Sequence, residues 1–248
     1  MGRAKLSVNI NKYALLRNSR GHDAPNLCRS ADLAIAAGSH GITVHPRLDE
    51  RHVRMADLPV LAEHLRAHHP GVELNIECQD DPGLLARVRA LNPQQCTLVP
   101  VTPGEITSDH GWDPIAQRDR LRRAIDPLVE LGIRVSCFAD CDPDVLPAFT
   151  ETGTQRVELY TGPYAWAWGT ADQDTWVARI RRCIAVAHEA GLGVNAGHDL
   201  DRHNLAGIAT EEGLLEVSIG HAQICRALEV GTHQSVSELL TALGWPTG

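Results

Sequence analysis

Along the chain, short runs dense in β-branched and aliphatic residues alternate with longer stretches in which apolar positions recur every three to four residues. Eight such runs stand out, at residues 6–10, 41–45, 73–77, 96–99, 133–138, 156–160, 192–196 and 215–219. Their centres lie about 30 residues apart, the length of one strand plus a returning helix and two loops. Between them, residues 29–37 are Ala-rich and stop at Gly38, a common helix terminator. Residues 114–131 carry a stripe of Ile115, Leu121, Ile125, Leu128 and Val129, with Pro127 inside it predicting a kink or break. Residues 174–190 carry another, through Val177, Ile180, Ile184 and Ala187. Eight strands, each followed by helical sequence, predict a single (β/α)8 barrel domain over residues 1–248, close to the typical length of about 250. A doubly wound sheet would carry a G-x-G-x-x-G turn after its first strand, and none is present.

Composition narrows the function. The 31 acidic against 23 basic residues give a net charge of -8, which argues against an electrostatic grip on nucleic acid or an anionic membrane. Small anionic ligands remain open, because a local cluster of Arg, His and backbone N–H groups suffices for them. No apolar run reaches 18 residues, and the opening Met-Gly-Arg-Ala-Lys-Leu lacks the apolar stretch of a signal peptide, so a cytoplasmic protein is expected. Seven cysteines, an odd number without a CxxC pair, fit buried thiols in a reducing compartment. Aromatic residues are scarce, at 4%, so the core is expected to be aliphatic.

Barrel enzymes place their chemistry at the C-terminal ends of the strands, which ranks the polar residues there. The first strand ends in Asn9, Asn11 and Lys12, the second in His45 and Arg47, and the third in Glu77. The sixth ends in Glu158 and Tyr160, the seventh in Asn195 and His198, and the eighth in Gly220 and His221. One polar residue closing a strand ordinarily caps a helix; so many converging on one rim point to a site. His45, Glu77 and His198 suit acid and base work, since imidazole titrates near neutrality and a shielded Glu is raised toward it. Arg17, Arg20, Arg47, His52 and the Gly220-His221 turn suit oxyanions, the last because it opens a helix whose first N–H groups are free.

Other clusters read as structural. His64, His68 and His69 fall at helical spacing, but no carboxylate or cysteine at a strand end completes a metal site, so a solvated helix surface is expected and no metal site is assigned. His198 and His203 do not share a helical face, and Cys137 and Cys141 read as buried thiols. Trp112, Trp166 and Trp168 fall in loops after the fourth and sixth strands, where they either pack those loops or wall the site.

Several strings together resemble the pyridoxine 5'-phosphate synthase family: Val8-Asn9-Ile10, Leu16-Arg17-Asn18-Ser19-Arg20-Gly21, Gly41-Ile42-Thr43-Val44-His45-Pro46-Arg47 with Arg51-His52, Asn75-Ile76-Glu77, Leu98-Val99-Pro100, Val194-Asn195-Ala196-Gly197-His198 and Ser218-Ile219-Gly220-His221-Ala222. The resemblance is collinear over nearly the whole chain. It implies a (β/α)8 barrel, usually an octamer, that condenses 1-deoxy-D-xylulose 5-phosphate with 3-amino-2-oxopropyl phosphate to close a pyridine ring, with no metal or organic cofactor. By the same resemblance, His45 and Glu77 would accept protons, His198 would donate one, and Glu158 would stabilise charged intermediates. Arg47, His52 and Thr107 would hold the sugar phosphate, and Asn9, Arg20, Gly220 and His221 the aminoketone phosphate.

The chain also departs from the family pattern. Asn11-Lys12 stands where the family has Asp-His, Asp199 where it has Gly, Tyr160 where it has His, and Val101-Thr102-Pro103 where it has Glu-Lys-Arg. Asn11, Lys12 and Asp199 are therefore expected to touch substrate differently. A carboxylate beside a bound phosphate is repulsive unless it points away. The alternatives are a paralogue acting on a different aminoketone or sugar-like partner, and a non-catalytic metabolite-binding barrel.

Overall fold

The computed structural model describes residues 2–102 and 108–246. Eight parallel strands close into a barrel in chain order: β1 (Lys5–Asn9), β2 (Gly41–Val44), β3 (Glu73–Cys78), β4 (Gln95–Leu98), β5 (Arg134–Ala139), β6 (Arg156–Tyr160), β7 (Gly193–Gly197) and β8 (Leu214–Ile219), with β8 pairing back onto β1. Every strand lies within one residue, at each end, of the run the sequence predicts. At β7–β8 the register passes from Val194↔Leu214 to Asn195↔Glu216, so Leu215 bulges out of the ladder.

The helices form the outer ring: α1 (Asn11–Asn18), α2 (Leu27–Ala36), α3 (Asp57–His68), α4 (Pro82–Leu91), α5 (Arg118–Val129), α6 (Gly162–Ala167), α7 (Gln173–Glu189), α8 (His221–Val230) and α9 (Thr232–Ala242). Three expectations are corrected here. The helix predicted from residue 114 begins only at Arg118, because Asp113 Oδ1 accepts from the N–H groups of Ile115 and Ala116 and turns that segment instead. Pro127 does not break α5 where it stands; the helix runs on to Val129 and ends there. After β5 the expected helix is replaced by a 3-10 turn at Leu146–Thr152, where Pro147 sits in the first turn.

Most strands alternate apolar and polar positions, and the direction of that alternation positions the site. Leu6, Val8, Ile42, Val44, Leu74, Ile76, Cys96, Leu98, Val135, Val157, Leu159 and Val194 are buried in one continuous aliphatic core. The residues between them are polar and bond across the lumen. Gln95 Nε2 on β4 donates to Glu216 on β8 at 3.3 Å, Asn195 Nδ2 on β7 donates to Gln95 at 3.3 Å, and Thr97 Oγ1 donates to Asn75 at 3.1 Å. Barrel lumens are ordinarily filled by branched aliphatic side chains. Here a hydrogen-bonded polar column fills the lumen, and the aliphatic layer lies between sheet and helices. Arg134–Glu73 at 2.6 Å and Arg156–Glu216 at 3.7 Å lie toward the strand starts, and Glu77 and Glu158 lie farther along their strands.

Candidate active site

A cavity of about 530 Å³ opens where β1, β2, β3, β6, β7 and β8 end, and its lining gathers Asn9, Lys12, His45, Glu77, Glu158 and His198. The backbone fixes the first of these. Asn11 Oδ1 accepts from the His45 N–H at 2.8 Å, and Asn9 Oδ1 accepts from the Asn11 N–H at 3.0 Å, so the turn after β1 clamps the end of β2. His45 Nδ1 then lies 3.3 Å from Glu77 Oε2, and Asn9 Nδ2 donates to Glu77 Oε1 at 3.4 Å. The other His45 nitrogen, Nε2, is buried without a hydrogen-bond partner among the described residues. A buried polar atom left in that state inside a cavity marks a place for an external group.

Glu158 rises from β6 at 4% exposure, and its Oε2 accepts from Thr97 at 3.4 Å. Burial, then the neighbouring Glu77 and Glu216 charges, push its carboxyl well above the usual range. Gly197 makes room for it: a Cβ at that position would lie 2.3 Å from Glu158 Oε1.

His198 and Asp199 follow on β7 in an unusual backbone. Their φ angles are 82° and 59°, a region non-glycine residues seldom adopt. Thr161 Oγ1 donates to the His198 carbonyl at 2.6 Å, and Asn204 Nδ2 donates to the Asp199 carbonyl at 3.0 Å, so the segment is held from two sides. His198 Nδ1 stands 3.1 Å from Asp199 Oδ2, and Trp166 Nε1 donates to the same oxygen at 3.0 Å. The Tyr160 ring meets the His198 ring edge-on with centroids 5.0 Å apart. Strain of this kind collects at functional sites.

The oxyanion residues divide. Arg47 and His52 are buried and line the cavity. His52 Nδ1 accepts from the Val53 N–H at 3.0 Å, which leaves Nε2 carrying the hydrogen. Burial, then His45, Lys12, Arg47 and Arg51, lower its pKa to about 3, so it is a neutral donor. Gly220 and His221 open α8 at the cavity wall, with no side chain capping the helix. Gly220 packs tightly there, where a Cβ would lie 3.0 Å from the Asn9 carbonyl oxygen.

Some expected residues lie elsewhere. Arg17 is no anion ligand: it is buried and forks onto Asp57 at 2.7 and 2.8 Å, and with Asn18, which donates to the His52 carbonyl, it fixes the loop behind His52. Asn195 lies inside the polar lumen rather than on the rim. Arg20 is exposed beyond the end of α1, outside the cavity lining. Thr107 lies outside the described residues. Trp112 is buried and donates to the Leu98 carbonyl at 2.9 Å, and Trp168 packs on Tyr164, so both are structural; of the three, only Trp166 reaches the site. Sequence reasoning missed Thr161, Asn204 and Asp57, whose roles depend on partners far along the chain.

One family model, described as pyridoxal phosphate biosynthesis protein PdxJ, matches residues 6–244. The chain belongs to the PdxJ family. A pyridoxine 5'-phosphate synthase from Xanthomonas axonopodis pv. citri is 48% identical over 241 residues, covering 94% of this chain and 93% of its relative. One from Mesorhizobium japonicum is 45% identical over 244 residues, covering 98% and 99%. Among solved structures, the tryptophan synthase α-subunit of Pyrococcus furiosus superposes with a TM-score of 0.66 over 96% of this chain and 98% of its own, at 14% identity. Phosphoribosyl anthranilate isomerase from Thermus thermophilus does so with 0.62 over 97% and 98%, at 13% identity. Those two share the barrel alone. PdxJ membership gives the mouth its chemical setting, a pyridine-forming enzyme.

Proposed function

We propose that this PdxJ-family barrel condenses 1-deoxy-D-xylulose 5-phosphate with 3-amino-2-oxopropyl phosphate, releasing inorganic phosphate and water as the pyridine ring of pyridoxine 5'-phosphate closes. The observation that carries the reading is that the His45–Glu77 contact, His198 and the buried Glu158 line one cavity. Imine formation, dehydration and phosphate loss move protons at several ring positions, and one acid or base would not reach them all. His45 and Glu77 accept protons on one side. His198 donates from the other. Glu158, whose carboxyl burial pushes well above the usual range, supports the charged intermediates. Arg47 and His52 take the sugar phosphate, and Asn9 with the free N–H groups at Gly220-His221 takes the aminoketone phosphate.

Seven free cysteines accord with a reducing, cytoplasmic setting, and no helix among the described residues is long and apolar enough to cross a membrane. Assembly into the family's usual octamer belongs to the same reading. Complementation tests the activity: the chain should restore growth without added vitamin to a bacterium that cannot form the pyridine ring. No growth despite abundant soluble protein contradicts it.

One observation favours a second reading. Lys12 and Asp199 both line the cavity instead of pointing to bulk solvent, so two of the family departures meet the substrate. In that reading the proton chemistry is retained and the partner is another aminoketone or sugar-like phosphate. A higher kcat/KM for a changed aminoketone than for 3-amino-2-oxopropyl phosphate would establish it.

A further inference from the structure

Away from the mouth, α2 and α3 bring together three metal-ligating side chains. Asp32 Oδ1 on α2 lies 2.6 Å from His64 Nε2 on α3 and 2.8 Å from His69 Nε2 just past the end of α3. The three donor atoms lie within 4.8 Å of one another. The carboxylate missing from the sequence reading is therefore supplied by another helix, which corrects the expectation of a plain solvated surface. His68 remains exposed and offers no donor to the group.

The donors are held before any ligand arrives. Asp32 and His64 sit on packed helices. The His69 N–H donates to the Leu65 carbonyl at 2.8 Å, and the His69 carbonyl accepts from the Val72 N–H at 2.9 Å, fixing its backbone on both sides. Both rings are about three-quarters buried, at 22% and 24% side-chain exposure, so little freedom is lost on coordination. Both Nε2 atoms converge on one carboxylate oxygen, an arrangement that needs a proton on each. Neither Nδ1 has a hydrogen bond among the described residues, so each ring can move its proton there and turn an Nε2 lone pair inward. Bond lengths of about 2.0–2.2 Å from a tetrahedral ion need donors slightly farther apart than these, an adjustment of a few tenths of an ångström.

We propose that Asp32, His64 and His69 form a binding site for a divalent transition-metal ion of the zinc class, with water completing the coordination. Two imidazoles and one carboxylate are the donor set such ions prefer over magnesium or calcium. The ion clips α2 to α3 on the outer wall. His69 leads through Val72 into the start of β3, so the site lies at the end of the barrel opposite the mouth, and it takes no part in the proton chemistry.

Metal content and melting decide the matter. The full chain is stripped with chelator, loaded with Zn²⁺, freed of excess by gel filtration and analysed for metal, beside Asp32→Asn, His69→Ala and, as a control, His68→Ala. Wild type and His68→Ala should retain one more equivalent than the other two variants. Zn²⁺ should also raise their melting temperature by about 3 °C or more, with no such rise in Asp32→Asn or His69→Ala. Activity without metal should match wild type in all of them. Equal metal content in wild type and His69→Ala, or none retained by wild type, overturns the proposal. Should a variant lose its fold, the visible spectrum of Co²⁺-loaded wild type decides instead: bands of an imidazole-ligated ion support the site, and the aqueous spectrum refutes it.

Discussion

His198 Nδ1 lies 3.1 Å from Oδ2 of Asp199, its immediate neighbour in the chain. The His198 imidazole at that distance, assisted by Trp166 and opposed by burial, holds the Asp199 carboxyl below the ordinary carboxylate range. The pair exists because both residues adopt positive φ, which Thr161 and Asn204 enforce. Asp199 thus holds the His198 ring, which is the proton donor in the function proposed above, and Trp166 Nε1 bonds the same carboxylate oxygen.

Asp199→Asn should lower kcat roughly tenfold, well short of the 10²–10⁴ expected for the proton donor itself. The Trp166 bond survives in that variant, since an amide oxygen also accepts. KM should stay within about twofold, because no bound phosphate gains or loses a partner under the proposed assignment. Steady-state kinetics checks both parameters. A wild-type kcat would show that Asp199 does not position His198.

Gly197→Ala tests the space around Glu158. The added methyl would meet Glu158 Oε1 at 2.3 Å, and Glu158 is hemmed in by the polar lumen. Overpacking of this kind costs about 1–3 kcal/mol. Denaturant unfolding should show a lower midpoint with an unchanged slope, and turnover should fall as Glu158 is displaced. An unchanged midpoint contradicts the packing seen here.

The polar lumen makes a pH prediction. Burial, then Glu73, raise the Glu216 pKa to about 8, against the opposing pull of Arg156. Between the ordinary glutamate value and about 8, the folded chain keeps this proton while the unfolded chain releases it. Stability therefore falls as pH rises through that window. Glu216→Gln keeps the shape and hydrogen-bonding reach without the titration, so its melting temperature should fall less than wild type between pH 5 and 8. Parallel melting curves across that range would remove Glu216 as the cause.

Much of this was legible in the chain. Strand positions followed from short β-branched runs between Gly-terminated helices, and the rim residues followed from where those runs stop. The polar lumen was less visible, although its signal was present: Ser7, Thr43, Asn75, Thr97 and Asn195 sit at every second position of apolar strands, a period that a count of apolar density overlooks. Partners distant in sequence stayed hidden. Asp57 captures Arg17 from 40 positions away, and Asp32 meets His64 and His69 across two helices. Trp112 was placed at the right loop, yet its side chain turns inward to Leu98, because burial is decided by packing that spacing does not encode.

The most direct test measures pyridine formation by wild type and Glu77→Gln side by side, from 1-deoxy-D-xylulose 5-phosphate and 3-amino-2-oxopropyl phosphate, with the product followed by fluorescence and released phosphate counted. Gln retains the shape of Glu77 and an acceptor for Asn9 Nδ2 but cannot take a proton. Wild type should release phosphate in step with pyridoxine 5'-phosphate. Glu77→Gln should lose about 10²-fold or more in kcat with an unchanged melting temperature. Full turnover by the variant, or no pyridine product from wild type, would contradict the account.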